Sequence, residues 1–385
     1  MGLFGESDYK IGWFPCAAHN MQLCINAAIN GCNRVEEVLD KCQELSTFFR
    51  NNGLAKTRLM SSQGCAPGKA LVPLTICQTR WNSKYLVASR VSTLLPAMVS
   101  VEGTFRDPLA SPEEKRLLRK MPNMLTDEDV ALLQAATEIM EIAKKFSDRV
   151  SADSSVFISQ LYPTIWDIKA TMATKYTDDP SVRDFQDMFV SELEKRWALN
   201  EIPEGVLIAT FLNPALSCHG FFNEEIEQEG LREHVKSKVL EKLQAIAKNN
   251  PNIEELSWHF KRQIANYSEE IYDMTDSYKS FRDNPNVWWK NRKTMYPHLA
   301  MLARVYFSIQ SSSAASERLF SSAGNILTKR RQTLSEHVLS RLVIIKETKK
   351  FLYIDNEQEE PEYEEEPGYE EDGLDEFWER DEELL

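Results

Sequence analysis

Glu317 stands as a lone carboxylate in SSSAASERLFSSAG, a run of small, hydroxyl and apolar side chains. Near a helix start such a group interacts favourably with the helix dipole and sits in solvent. One carboxylate alone cannot hold a pair of metal ions or activate water. Cys16 and His19 form a second candidate pair. Three residues apart, they share one face of a helix. A tetrahedral zinc site needs two more ligands at short spacing, and the chain has no CxxC and no HxxxH. The residue types equally describe a buried cysteine beside a hydrogen-bonded histidine. A third feature is basic: Arg318 next to the carboxylate, and the run Lys329-Arg330-Arg331 beyond it. Clustered cations of this kind are phosphate-binding candidates.

The elements that must position these groups are helices. Over residues 297–347, Leu299, Leu302, Ala303, Tyr306 and Phe307 recur at three-to-four spacing and predict one amphipathic helix. Ser311, Ser312 and Ser313 break it and supply hydroxyls to cap the next helix, which carries Glu317. Gly324 is the expected stop, because glycine tolerates the left-handed conformation after a helix end. A last helix starts near Ser335. Leu319, Phe320, Leu327, Leu334, Val338, Leu342 and Ile345 are more apolar surface than one small bundle needs, so they serve either the core or a subunit interface.

Upstream, a short extended piece at residues 11–14 leads into a helix near Cys16. Residues 34–51 read as an amphipathic helix ended by Gly53. Residues 53–73, with Gly64, Pro67, Gly68 and Pro73, read as loop. A helix opens at Thr79-Arg80-Trp81-Asn82-Ser83 and runs to Leu95. Thr126-x-x-Asp129 spells a capping box. Helical pattern continues over residues 154–175, kinked or broken at Pro163, and over 181–199. Residues 224–248 and 253–277 read as charged helices with one solvated face. No internal repeat, glycine-rich phosphate loop or G-x-S-x-G hydrolase motif is present.

The 385 residues suffice for one or two domains with a sizeable core. No run approaches the apolar length of a membrane span, and the first residues lack a secretory pattern. Seven scattered cysteines then read as reduced thiols. The net charge of -14 is uneven. Residues 355–385 hold 17 acidic residues and one basic, Arg380, so the rest is close to neutral at about +2. That acidic stretch, with Tyr363, Tyr369, Phe377 and Trp378 interspersed, reads as a disordered solubilising tail or an acidic-aromatic interaction segment.

The string SSAASERLFSSAGNILTKRR, preceded by Trp288-Trp289-Lys290, Pro297 and Leu299-Ala300, resembles the C-terminal signature of the hAT family of DNA transposases. The resemblance implies that Glu317 is the last of three acidic metal ligands in an RNase H-like core. It also implies that the surrounding helices form a dimerisation region. CAAH at residues 16–19 is similar to the family's C-x-x-H motif, found also in BED-finger relatives, and would put His19 near the active site and a DNA end. TRWNS is similar to the family's entry into a helical insertion domain. It would place Trp81 where it stacks on an unpaired base; core filling is the alternative. Residues 206–222 resemble a segment of pattern L-x-x-A-x-x-L-D-P-R. Asn213 and Ala215 replace its Asp and Arg, which suggests relaxed constraint there.

The family's first two aspartates precede the C-x-x-H. Only fifteen residues do so here, with Asp8 alone and in the wrong context. The expectation is a mainly α chain that lacks both aspartates and the zinc finger. It comprises a truncated RNase H-like remnant (residues 1–80), a large helical insertion (81–284), a C-terminal dimerisation region (285–352) and an acidic tail (353–385). It would be a transposase-derived nuclear protein without transposase activity. It would pair with itself or other hAT-family proteins and associate with DNA, with no membrane and no small-molecule substrate. No cofactor is expected; a divalent metal such as Mg would bind only if the missing aspartates came from elsewhere. The alternative is the C-terminal portion of an active transposase whose aspartates and zinc finger lie outside this chain.

Overall fold

A computed structural model describes residues 15–352, apart from 67, 76–80, 153–156, 175–178, 199–200, 224, 227–228, 274–279, 283 and 328–333. The extended piece at 11–14, Asp8, the basic run Lys329-Arg330-Arg331 and the tail at 355–385 lie outside the described residues. Among the described residues the chain is mainly α. Its helices are α1 (Ala17–Gly31), α2 (Asn33–Asn51), α3 (Gly53–Ser62), α4 (Trp81–Arg106), α5 (Pro112–Leu118), α6 (Asp127–Ser151), α7 (Leu161–Thr174), α8 (Pro180–Arg196), α9 (Glu204–Leu212), α10 (Leu231–Ile246), α11 (Ile253–Asp273), α12 (Pro285–Arg292), α13 (Pro297–Tyr306), α14 (Ala314–Ile326) and α15 (Glu336–Leu352). The β structure described is one antiparallel pair of two-residue strands, β1 (Glu225–Ile226) and β2 (Glu229–Gly230). No described helix is long and apolar enough to cross a membrane. The chain divides into two units, Met1–Ser316 and Glu317–Leu385.

Capping explains where several helices begin. At α6, Asp129 N–H donates to Thr126 Oγ1 and Thr126 N–H to Asp129 Oδ2, both at 3.1 Å, so the predicted capping box forms. Ser111 and Glu114 make a second box at α5, and Arg58 of α3 reaches the same Glu114 at 2.7 Å. Asp129, about 1 % exposed, also accepts from Lys41 Nζ (2.8 Å) and Arg34 Nη2 (3.0 Å). One carboxylate thus ties α2 to the start of α6. Burial opposes its charge, but the bonds from Lys41, the Thr126 backbone and Arg34 outweigh it and hold the carboxyl at about 2.

Two groups of helices share one continuous core in the first unit. In one, α1 packs on α6 and α8, and α2 on α3, α4 and α6. The helices of residues 1–80 therefore build their core with helices of the expected insertion domain. In the other, α9 is buried from Val206 through Leu212, the pattern of a helix enclosed on every side; α7, α10 and α13 pack around it. A helix ending in such a core needs partners for its last carbonyls. Tyr267 Oη donates to the Phe211 carbonyl and Trp289 Nε1 to the Leu212 carbonyl, both at 2.8 Å. Asn213, fully buried, follows. Its amide nitrogen donates to Ser159 Oγ (2.8 Å) and to the Arg282 carbonyl (3.0 Å), and its oxygen accepts from Ala215 N–H (3.1 Å). The Arg282 carbonyl can only accept, so it suits the amide nitrogen and not a carboxylate oxygen, while the Ser159 hydroxyl could serve either.

Three sequence expectations are corrected. Gly53 opens α3, so residues 53–62 are helix and not loop, and Leu59 and Ala55 of that helix are buried. Tertiary burial outweighs the poor helix propensity of glycine there. The helix starting at Trp81 continues past Leu95, through Pro96, to Arg106, because Val91, Leu94, Met98, Val101 and Phe105 keep one buried stripe across the proline. Gly324 lies inside α14, which ends at Ile326.

Candidate functional site: the Cys16 junction and the exposed helices α14 and α15

The C-x-x-H motif and the serine run meet, although almost 300 residues separate them. Ala17 N–H donates to the Ser311 carbonyl at 3.0 Å. Cys16 Sγ accepts from Ser313 N–H and Ser313 Oγ, each at 3.3 Å, and lies 3.6 Å from Ser312 Oγ. Ser312 Oγ in turn accepts from Ala314 N–H at 3.1 Å, so the serines supply a cap at α14, as their hydroxyls predict. Partial burial of Cys16 opposes ionisation. The hydrogen bonds from Ser313, the His19 backbone and Ser312 prevail and hold the thiol below its ordinary value. The junction thus joins the start of α1 to the serine run at residues 311–313 within the first unit.

His19 is exposed on the first turn of α1. Trp81 is 6 % exposed at the start of α4 and packs in the core. Glu317 and Arg318 are exposed in the first turn of α14. Among the described residues no group of three or more His, Cys, Asp or Glu side chains is placed to hold a metal ion. The described donor set around Glu317 therefore does not fit a catalytic metal pair, which needs several carboxylates.

The seven apolar interface candidates lie outside the buried core. No residue of α14 is buried. Phe320 is 74 % exposed, and Leu319, Leu327, Val338 and Leu342 are each more than a third exposed; Ile345 is 61 % exposed and Leu334 is half-buried. Val338, Leu342 and Ile345 follow the i, i+4, i+7 spacing of one helical stripe. Ile344, equally exposed, is an apolar residue of α15 that the sequence reading missed. Also missed was a basic cleft on α12 and α13, whose signal was a long stretch without carboxylates.

Residues 263–348 match the hAT family C-terminal dimerisation region. Along most of its length the chain is similar to a Talaromyces stipitatus protein named as a transcriptional regulator, tpeD (23 % identical; 88 % of this chain and 42 % of that protein). It is also similar to two Zea mays proteins named as AC and AC9 transposases. Each is 22 % identical over 86 % of this chain, covering 43 % and 44 % of their own lengths. The chain thus spans less than half the length of these relatives. The chain is thus similar to the hAT family's C-terminal dimerisation region over residues 263–348, and along most of its sequence to proteins named as a transcriptional regulator and as transposases.

Proposed function

We propose that this chain self-associates through α14 and α15 and acts as a DNA-associated, regulatory nuclear protein without transposase chemistry. The observation that carries the reading is the apolar surface of Leu319, Phe320, Leu327, Val338, Leu342 and Ile345, all exposed within the matched dimerisation region or beside it. Exposed apolar surface of this kind marks interaction sites, and a two-fold contact between like surfaces is the commonest oligomer geometry. A second copy, or another hAT-family chain with the same region, is the partner that matches. A stable contact of this type buries on the order of 1,600 Å² around an apolar centre. Leu342→Glu sets a charge at that centre and should weaken the dimer by several kcal/mol. Light scattering should show the unmutated chain as a dimer at about 10 µM, in the micromolar range of ordinary affinities, and the variant as a folded monomer. A monomeric unmutated chain would end the proposal.

The reading without transposase chemistry is supported by the described residues, among which no group of three or more His, Cys, Asp or Glu side chains is placed to hold a metal ion. We include in the proposal that α1 and the start of α14, joined at Cys16, are a remnant of an RNase H-like core. A second reading is favoured by coverage: the relatives are more than twice as long as the matched portion. The chain would then be the C-terminal part of an active transposase, with the remaining carboxylates and a divalent metal supplied by segments outside it. Adding the preceding genomic segment and testing for metal-dependent DNA cleavage separates the two.

A further inference from the structure

A cleft of about 590 Å³ opens on the surface of α12 and α13, with Trp289, Met301 and Phe307 in its lining and three cations, Lys290, Lys293 and Arg304, around it. No carboxylate lines it. The reason is in the sequence: residues 284–316 contain no Asp or Glu, in a chain with 59 acidic residues, yet hold Lys290, Arg292, Lys293 and Arg304. Arg292 is already engaged. Its Nε lies 2.7 Å from Glu270 Oε1, and its guanidinium stacks 4.4 Å from the Trp288 ring centre. The other three are exposed and form no ion pair among the described residues.

We propose that this cleft binds the sugar–phosphate backbone of duplex DNA. In a molecule of net charge -14, three cations without local carboxylates concentrate positive potential where an anion gains most. Arg304 offers a planar fork that takes two phosphate oxygens in parallel, and the two lysines act as point charges beside it. The apolar side chains of the lining suit the face of a deoxyribose. The contacts position DNA without reading bases. The inference rests on the DNA-associated part of the proposed function and is independent of self-association.

The test compares the full chain with Lys290→Gln/Lys293→Gln/Arg304→Gln, whose exposed positions leave the core untouched. Fluorescence anisotropy with a labelled duplex is followed from about 50 to 200 mM salt, and light scattering is run in parallel. Three lost phosphate contacts should lower the slope of log affinity against log salt by about 2 to 3, and weaken binding at low salt at least about tenfold. The molar mass should stay unchanged. An unchanged slope with the variant would overturn the cleft assignment while leaving DNA association standing. Loss of the dimer together with DNA binding would overturn it too, because the cleft would then face a second copy. Displacement of the duplex by polyglutamate at equal charge would assign the cleft to a carboxylate-bearing segment instead. Failure of the unmutated chain to bind duplex at all would end both this assignment and the DNA-associated reading.

Discussion

Glu317 shows how far one side chain carries function. It keeps the position that the resemblance assigns to a metal ligand, yet it is exposed and no metal-holding cluster surrounds it among the described residues. Its effect on the fold is then that of a carboxylate in a first helical turn, worth under about 1 kcal/mol. Glu317→Gln should lower the melting temperature by no more than about 2–4 °C, the shift per kcal/mol for a domain of this size. A drop several times larger by calorimetry would tie Glu317 into the fold. Cys16 is the contrasting residue. Its thiol is bound by Ser313 and lies beside Ser312, from a distant part of the chain, so its contribution to the fold comes from tertiary placement.

At the scale of elements, charge and apolar surface divide the work. Asp129 joins α2 to the start of α6 with its carboxyl held at about 2, below an ordinary 3.8. A depressed carboxylate contributes stability that is complete above its unfolded value and is lost as the pH falls through the folded one. Asp129→Asn should therefore cost about 2 kcal/mol at neutral pH, the free energy that holds this carboxyl at about 2. Urea unfolding should show that gap narrowing below about pH 4 and closing near pH 2. A gap constant between pH 7 and pH 2 would place the stabilisation in the capping geometry alone. The elements α14 and α15 work in the opposite way. They leave Phe320, Leu342 and Ile345 outside the core, which is the surface the Leu342→Glu experiment addresses.

For the whole molecule, the described residues hold a helical body with a basic cleft, while the sequence adds a strongly acidic C-terminal stretch. The chain alone should neither nick nor join DNA, because strand cleavage needs metal ions held by several carboxylates. Supercoiled plasmid incubated with pure protein and Mg²⁺ or Mn²⁺ should stay supercoiled. Metal-dependent nicking abolished by Glu317→Ala would overturn this and favour the transposase reading.

Much of this was legible in local pattern. The helical character, the capping box at Thr126 and Asp129, the serine cap before α14 and the amphipathic face of α13 all follow from spacings within one or two turns, where side chains act on their own helix. The motif words around Glu317 likewise carried the resemblance that the match over residues 263–348 repeats. Non-local packing decided the rest. Gly53 and Pro96 punctuate the sequence, yet burial of Leu59, Val101 and Phe105 keeps their segments helical. Periodicity names an apolar face without saying what covers it, so Trp81 went into the core while Phe320 and Ile345 stayed out. The meeting of Cys16 with Ser313, and of Asn213 with Ser159 and the Arg282 carbonyl, joins residues far apart in sequence. No spacing rule encodes such contacts, because only the packed helices bring their hydrogen-bonding groups within reach.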